Sequence, residues 1–513
     1  MAEQLTSASV AAPGFFGLNT QDASTQLENG YALQAFNAVI DKSGRIGSRK
    51  GWTKVNATVP TELGTAAIEQ ISELIGTDGT KYVLAAGNNK LFKLVGTALS
   101  EITYGGGGTA PTITASNWSI ATLNNKTYFF QSGHDPLMFD PALSTTQYRR
   151  VSEHPTYSGT VPQGNVVVSA YGRLWVGDLQ NNKQIVYFSD LAAGTVWAAG
   201  TSGSLDVSQV WTNGTDQVTA LAAHGGFLVI FGLRQTLIYQ SPQDPNVMSL
   251  LEGINRIGCI ARDSVKNISN DLLFLSDAGV RSFARLVQEK SMPMRDISKN
   301  VRDDLIAILP GEDLTKVRAV YNEKEAFYLL SFPISNISYC FDVRTPLPDG
   351  AARATIWTLA PKALYADSNR RLLMGFTGYV GQYGGYVDNT AAYPFIYYTN
   401  YFDFQSPTTE KILKKIGYTV VGGVRQEVTV KWGFDYANNY RSELSIVGDQ
   451  IVYEYGIAEY GIAEYSGGID IDQKKVNTNG RGKIIQIGFE SNINGQPISI
   501  QKIDVYVKQG RLL

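Results

Sequence analysis

Histidine is nearly absent from this chain of 513 residues, with three copies at His134, His154 and His224. None has a Glu or Cys at ligand spacing, and a zinc centre needs three or four converging ligands, so no metal site and no cofactor is expected. Cysteine is as scarce: Cys259 and Cys340 each sit in an apolar, strand-like stretch. They read as two buried thiols, suited to folding in a reducing cytoplasm, and not as a disulfide framework. Charged residues reach only 18%, below the usual figure of about 25%. There is no excess of either sign, with 44 basic residues against 46 acidic ones. A protein that grips phosphates usually carries a basic surplus. No apolar run is long enough to span a bilayer, and the first residues lack the basic-then-apolar order of a secretory signal.

Motifs of known chemistry are also missing. The run Gly105–Gly108 is not followed by Lys-Ser/Thr and opens no predicted helix, so it does not read as a phosphate loop. The glycine-rich stretch Gly375–Gly385 reads as sheet and turn. No Gly-x-Ser-x-Gly elbow occurs. A glycosidase needs only two facing carboxylates, and Ser189–Trp197 faintly resembles the Asp-box of sialidase propellers, though with different spacing and a single occurrence. The basic cluster Lys411, Lys414 and Lys415, like Arg45, Arg49 and Lys50, is expected to be a solvated rim and not a nucleic-acid patch. The aromatic runs Tyr128–Phe130 and Tyr397–Phe402 are expected in the core. No catalytic, cofactor-binding or metal-ligating residue is assigned, and the chain reads as a non-enzyme.

What is abundant is glycine (51) and tyrosine (28), the composition of many short strands joined by tight turns. From about residue 68 to 390 one phrase recurs: a polar turn followed by a strongly apolar strand. The strands begin at Tyr82, Thr127, Arg173, Phe227, Leu272, Ala326 and Leu372, with successive spacings of 45, 46, 54, 45, 54 and 46 residues. The turns before them, such as Asn124-Asn125, Tyr171-Gly172 and Gly225-Gly226, hold residues that tolerate positive φ. A period near 45 with about four strands per unit is that of a β-propeller. The prediction is an all-β chain: a propeller of six to eight blades, with seven repeats countable, followed by a C-terminal β-sandwich.

The expected boundaries are an extended N-terminal arm over 1–35, a propeller over 36–395 and a sandwich over 396–513. The segment Phe36–Val55 reads as a hairpin turning at Lys42-Ser43-Gly44. From its order along the chain it is expected to close the ring against the last blade. The sandwich segments are Lys415–Val421, Glu427–Phe434, Ile484–Ser491 and Ile498–Val507. Between them lies a tandem of period five, Glu454–Tyr465, expected as a Gly/Tyr-rich loop over 454–467.

The N-terminal residues Asn37, Asp41, Gly44, Ile46, Arg49, Gly51 and Trp52 form an Asn-rich lead into a Gly-x-Ile … Arg-x-Gly phrase just before a propeller. This resembles the opening of the tail nozzle, or tail tubular, proteins that stabilise packaged DNA in short-tailed bacteriophages. The phrase Val186–Asp190 with Gly194–Trp197, the tandem at 454–465 and the terminal strand from Val505 are similar to features of the same family. The resemblance implies a structural virion protein in the tail: a hexameric ring below portal and adaptor proteins, in contact with tail fibre or needle proteins. Such a ring encloses double-stranded DNA, retains it without sequence-specific binding and lets it pass on infection. Near-neutral charge suits a channel through which DNA slides, and lumen-facing loops are expected to be acidic or polar. The alternatives are a propeller-based receptor-binding or fibre-anchoring tail protein and, further off, a propeller glycosidase or lectin.

Overall fold

A strand buried on both faces needs apolar side chains at every position, not at alternate ones. The seven apolar phrases of the sequence have this character, and in the computed structural model they occupy one equivalent place. The structure describes residues 5–113, 117–268, 271–289, 296–448 and 471–510; the tandem at 454–465 and the loop expected over 454–467 lie outside them. The phrases are the second strands of seven blades: Lys81–Gly87, Lys126–Phe130, Arg173–Leu179, Phe227–Gly232, Asp271–Ser276, Phe327–Phe332 and Leu372–Phe376. Each is sandwiched between the blade before and the blade after.

The inner strands of the seven blades begin at Gln70, Ser119, Gly164, Val218, Lys266, Arg318 and Ala363. They neighbour one another around an axis, and the ring closes where Ala363–Ala366 meets Gln70–Ile75. The hairpins from inner to second strand turn in two residues at Asn124-Asn125, Tyr171-Gly172 and Gly225-Gly226, all with positive φ. That is the backbone such hairpins require. Apolar clusters fill the wedges between successive blades, as where Trp175 of blade 3 meets Leu228 and Ile230 of blade 4. Phe129 of blade 2 meets Leu84 of blade 1 in the same manner.

Blade 7 has three strands of its own and takes its fourth from the N-terminal region: Trp52–Lys54 pairs antiparallel with Gly381–Tyr383. Trp52 stacks on Phe376 at 3.9 Å. The closing strand therefore comes from the expected segment, but only from its last residues. The hairpin itself, Ala38–Ile40 with Ile46–Ser48, belongs to the sandwich, where Gly47 and Ile46 pair with Ser499 and Ile500.

The expected arm over 1–35 differs in the same way. Thr6–Ala11 pairs along its length with the last strand, from Thr6 opposite Val507 to Ala11 opposite Lys502. Tyr31–Phe36 pairs with Tyr393–Thr399. The sandwich is thus built from both ends of the chain. The physical reason is that a strand inserted between others gains backbone hydrogen bonds whatever its side chains. Its inward positions, Ala32 and Ala35, are fully buried yet too small to announce a strand by hydropathy.

One sheet runs through both bodies, from blade 6 (Arg318–Asn322, Phe327–Phe332, Ile337–Asp342, Arg353–Trp357) through Tyr31–Phe36 into the sandwich strands Tyr393–Thr399, Ile485–Ile493, Gln426–Phe434 and Arg441–Val447. The wedge between blades 5 and 6 is accordingly continuous with the sandwich core. Among the described residues blade 5 has three strands, and the short helices Phe283–Glu289 and Arg302–Ile308 follow it.

At the joint stands Arg49, fully buried. Its guanidinium donates to both oxygens of Asp388, at 2.8 and 2.6 Å, and to Asn37 Oδ1 at 2.9 Å. It also lies over the ring of Tyr393 at 4.2 Å, and the Tyr393 hydroxyl donates to the Arg49 carbonyl. Asn37 donates in turn to Thr358 Oγ1 and the Pro394 carbonyl. Gly51 is obligatory because a Cβ there would sit 1.9 Å from the Val387 carbonyl oxygen. Arg49 is thus no solvated rim. Breaking a buried pair leaves an uncompensated charge, so Asp388→Asn is expected to cost about 3 kcal/mol of stability in denaturant unfolding. A double variant, Arg49→Met with Asp388→Leu, is expected to recover a large part of that loss.

Candidate functional site at the propeller axis

Because the inner strands all run the same way, the residues just before them gather at one end of the axis. Here the turn Arg262–Ser264 precedes blade 5 and sends a guanidinium across the ring. Arg262 donates to Asn165 Oδ1 at 3.1 Å in blade 3, and to Asn117 Oδ1 at 2.9 Å and the Trp118 carbonyl at 2.7 Å, beside blade 2. It also holds both oxygens of Asp263, at 3.1 and 2.7 Å. Arg318, at the start of blade 6, reaches the same Asp263 at 3.0 Å and the Glu69 carbonyl ahead of blade 1 at 3.4 Å. Two arginines about one carboxylate thus tie five blades together across the axis.

Burial pushes the Asp263 carboxyl up, but the Arg262 and Arg318 charges outweigh it and bring it down to about 2. Lys266, deep in the same ring, is lowered by burial, with Asp263 opposing and the two arginines reinforcing the shift. Beside the network is a cavity of about 170 Å³ lined by Glu69, Asn117, Lys316, Arg318 and Lys362 among others. Burial raises the Glu69 carboxyl, with Arg318 and the two lysines pulling against it.

A raised and a lowered carboxyl side by side is the pattern of an acid–base pair. Here it does not assemble one, because both Asp263 oxygens are held by guanidinium donors and neither is offered to a reacting atom. The arrangement can lock the ring and gather anions at its rim.

The other residues singled out by sequence are dispersed. His154 bonds Asp140 at 3.3 Å and Thr156 at 2.8 Å, and burial lowers its pKa. His224 contacts Asn267. Among the described residues no three His, Cys, Asp or Glu side chains converge as a metal site. Cys259 and Cys340 are both buried, and burial lifts the Cys259 thiol to about 12.

Lys411 is not a rim residue: it is fully buried, its ammonium donating to the carbonyls of Ser406, Thr409 and Lys483 at 2.6, 3.0 and 2.6 Å. Arg45 pairs with Asp41, and Lys50 with Glu325. In Ser189–Trp197, Asp190 caps the backbone of Thr201 at 2.9 Å, and the Trp197 indole donates to the Gly194 carbonyl. The segment is a structural turn between the third and fourth strands of blade 3, its Ala192 N–H donating to the Gly172 carbonyl and the Ala192 carbonyl accepting from Asn124. Sequence reading missed Arg262, Asp263 and Arg318, although the Arg-Asp pair directly before an inner strand was a visible signal.

No family model and no curated protein matches the chain. Among solved structures it is similar to the Pan2 WD40 domain of Neurospora crassa, with 9% identity, 66% of this chain and 98% of that one covered, and a TM-score of 0.36. It is also similar to KlHsv2 with loop 6CD replaced by a Gly-Ser linker, with 12% identity, 54% and 79% covered, and a TM-score of 0.32. The extracellular domain of the putative hybrid two component system BT4673 from B. thetaiotaomicron aligns at 11% identity, 67% and 54% covered, and a TM-score of 0.25. Likenesses this distant carry no functional argument, and the propeller rests on the sheet order itself.

The axial lock has a pH signature. The Asp263 pKa lies below its unfolded value of about 3.9, so its contribution is complete above about pH 4 and lost as pH falls through about 2. That contribution is on the order of 2 kcal/mol. Unfolding curves between pH 2 and 5 are expected to show this slope, and Asp263→Asn is expected to flatten it. At pH 7 the same variant is expected to be less stable by about 3 kcal/mol, because it strands two arginines.

Proposed function

We propose that this chain is a structural component of a short-tailed phage tail, one of six copies forming the nozzle ring that encloses the DNA channel. The observation that carries the reading is the joint. Asn37, Arg49, Gly51 and Trp52, the residues of the nozzle-like phrase, are those that weld propeller, sandwich and N-terminal strands into one body. A wall that contains packaged DNA needs such coupling, since domains joined by a linker alone move relative to one another. The sheet shared by blade 6 and the sandwich serves the same end.

Two further features support the reading. The axis of the propeller is crossed by the Arg262–Asp263–Arg318 network, so a channel for duplex DNA has to lie between copies, as in a ring. The balanced charge, -2 overall, suits a lumen that does not hold phosphates by counterion release. Retention of DNA then comes from closure of the ring, and ejection from its opening.

Electron microscopy of the native particle, with a symmetry search about its long axis, tests this. The expected result is a sixfold ring of this chain around an open or DNA-filled channel, with acidic or polar loops facing the lumen. A chain found as a monomer, or only at the tip of a fibre, or a continuously basic lumen, would overturn it.

A further inference from the structure

The far end of the axis, where the inner strands of blades 1, 2 and 7 finish, has the opposite chemistry. A cavity of about 490 Å³ opens there, lined by Glu73, Leu74, Leu123, Asn125, Tyr365 and Asp367 among others, and none of its lining residues is cationic. Glu73 is only 6% exposed. One carboxylate oxygen, Oε2, accepts the Ser368 N–H at 2.7 Å; the other, Oε1, is buried with no partner. Asn125 Oδ1, on the same cavity, is also buried without a partner. A buried acceptor left unpaired costs free energy, and more so when it carries charge. Asp367, by contrast, is engaged by Arg371 and by the backbone N–H groups of Asn369 and Arg371.

We propose that this cavity receives a lysine side chain of a partner polypeptide. Two orphan acceptors and a carboxylate call for an occupant that brings N–H donors and positive charge. A guanidinium prefers both oxygens of a carboxylate, and Ser368 already holds one of them. An ammonium needs only single acceptors in separate directions, which Glu73 Oε1 and Asn125 Oδ1 supply. Leu74, Leu123 and Tyr365 offer apolar surface for the methylene stem. A divalent metal would lack ligands, since no three acidic, His or Cys side chains converge among the described residues. This inference does not depend on the tail reading.

The test is calorimetric titration of the full chain with a capped Gly-Lys-Gly peptide, its Nε-acetylated form, n-butylammonium, 1,4-diaminobutane and calcium chloride. The lysine peptide is expected to bind with a dissociation constant of about a millimolar, n-butylammonium more weakly, and the acetylated peptide not at all. Glu73→Gln, which keeps an acceptor for Ser368, is expected to weaken binding about tenfold without lowering the melting temperature. Asn125→Asp, which adds a second charge at the cavity, is expected to tighten it several-fold and serves if Glu73→Gln does not fold. Equal binding of the acetylated peptide, binding of calcium or of the diamine alone, no binding of the lysine peptide, or unchanged affinity in the folded variants would overturn the proposal.

Discussion

A guanidinium with no access to water is tolerated only where its charge is matched and its donors are filled, and Arg49 is in that position at the centre of the molecule. Asp388 sits between the last strand of blade 7 and the first strand that follows it, and Asn37 lies between two N-terminal strands of the sandwich. The charge can be matched only when all three segments are in place. The closing strand Trp52–Lys54 begins three residues after Arg49, so satisfying the arginine also sets where the ring is shut. Closure of the propeller and assembly of the sandwich therefore meet at one buried ion pair.

The parts legible in the sequence are those where physics leaves a repeated mark. A second strand packed on both faces must be apolar throughout, and a two-residue hairpin must hold residues that accept positive φ. The first demand, met in all seven second strands, and the second, met at Asn124-Asn125, Tyr171-Gly172 and Gly225-Gly226, expose the propeller. The C-terminal strands, such as Lys411–Val421 and Ser499–Gln509, show because each alternates a buried face with a half-buried one. The N-terminal strands leave no such mark. Thr6–Ala11 lies on the sandwich edge, where backbone pairing suffices, and Tyr31–Phe36 buries alanines. Charge misleads for a related reason: hydropathy places Arg49 and Lys411 at the surface, whereas burial is decided by the carboxylate and the three carbonyls that await them. Partners distant in sequence are invisible to any local pattern.

The axial residues follow the same logic. Glu69, Asn117, Asp263 and Arg318 come from four separate blades, and only ring closure brings them together. The ring also sorts its charge by end. At the leading end the cations crowd round Asp263 and leave neither of its oxygens unclaimed. At the far end no residue lining the cavity is cationic, and Glu73 keeps one oxygen unmatched. A self-contained propeller gains nothing from that imbalance, because replacing such a group by an apolar one of similar shape is often neutral or stabilising.

The closed axis bears on what a ring of copies can do. A propeller whose axis is crossed at one end by its own ion network is stiffened across its diameter by contacts among five blades. Attached through a shared sheet to a sandwich, it forms a two-part block whose relative orientation is fixed by hydrogen bonds along strands and by one buried ion pair. Several such blocks around a symmetry axis would surround a lumen with walls that do not flex at a linker. Any opening would then occur between copies, where contacts are surface contacts and weaker than the welded joint within each chain. In that arrangement the strength of the wall and the ease of its opening are set by different interactions, one inside the subunit and one between subunits, and each can be altered without the other.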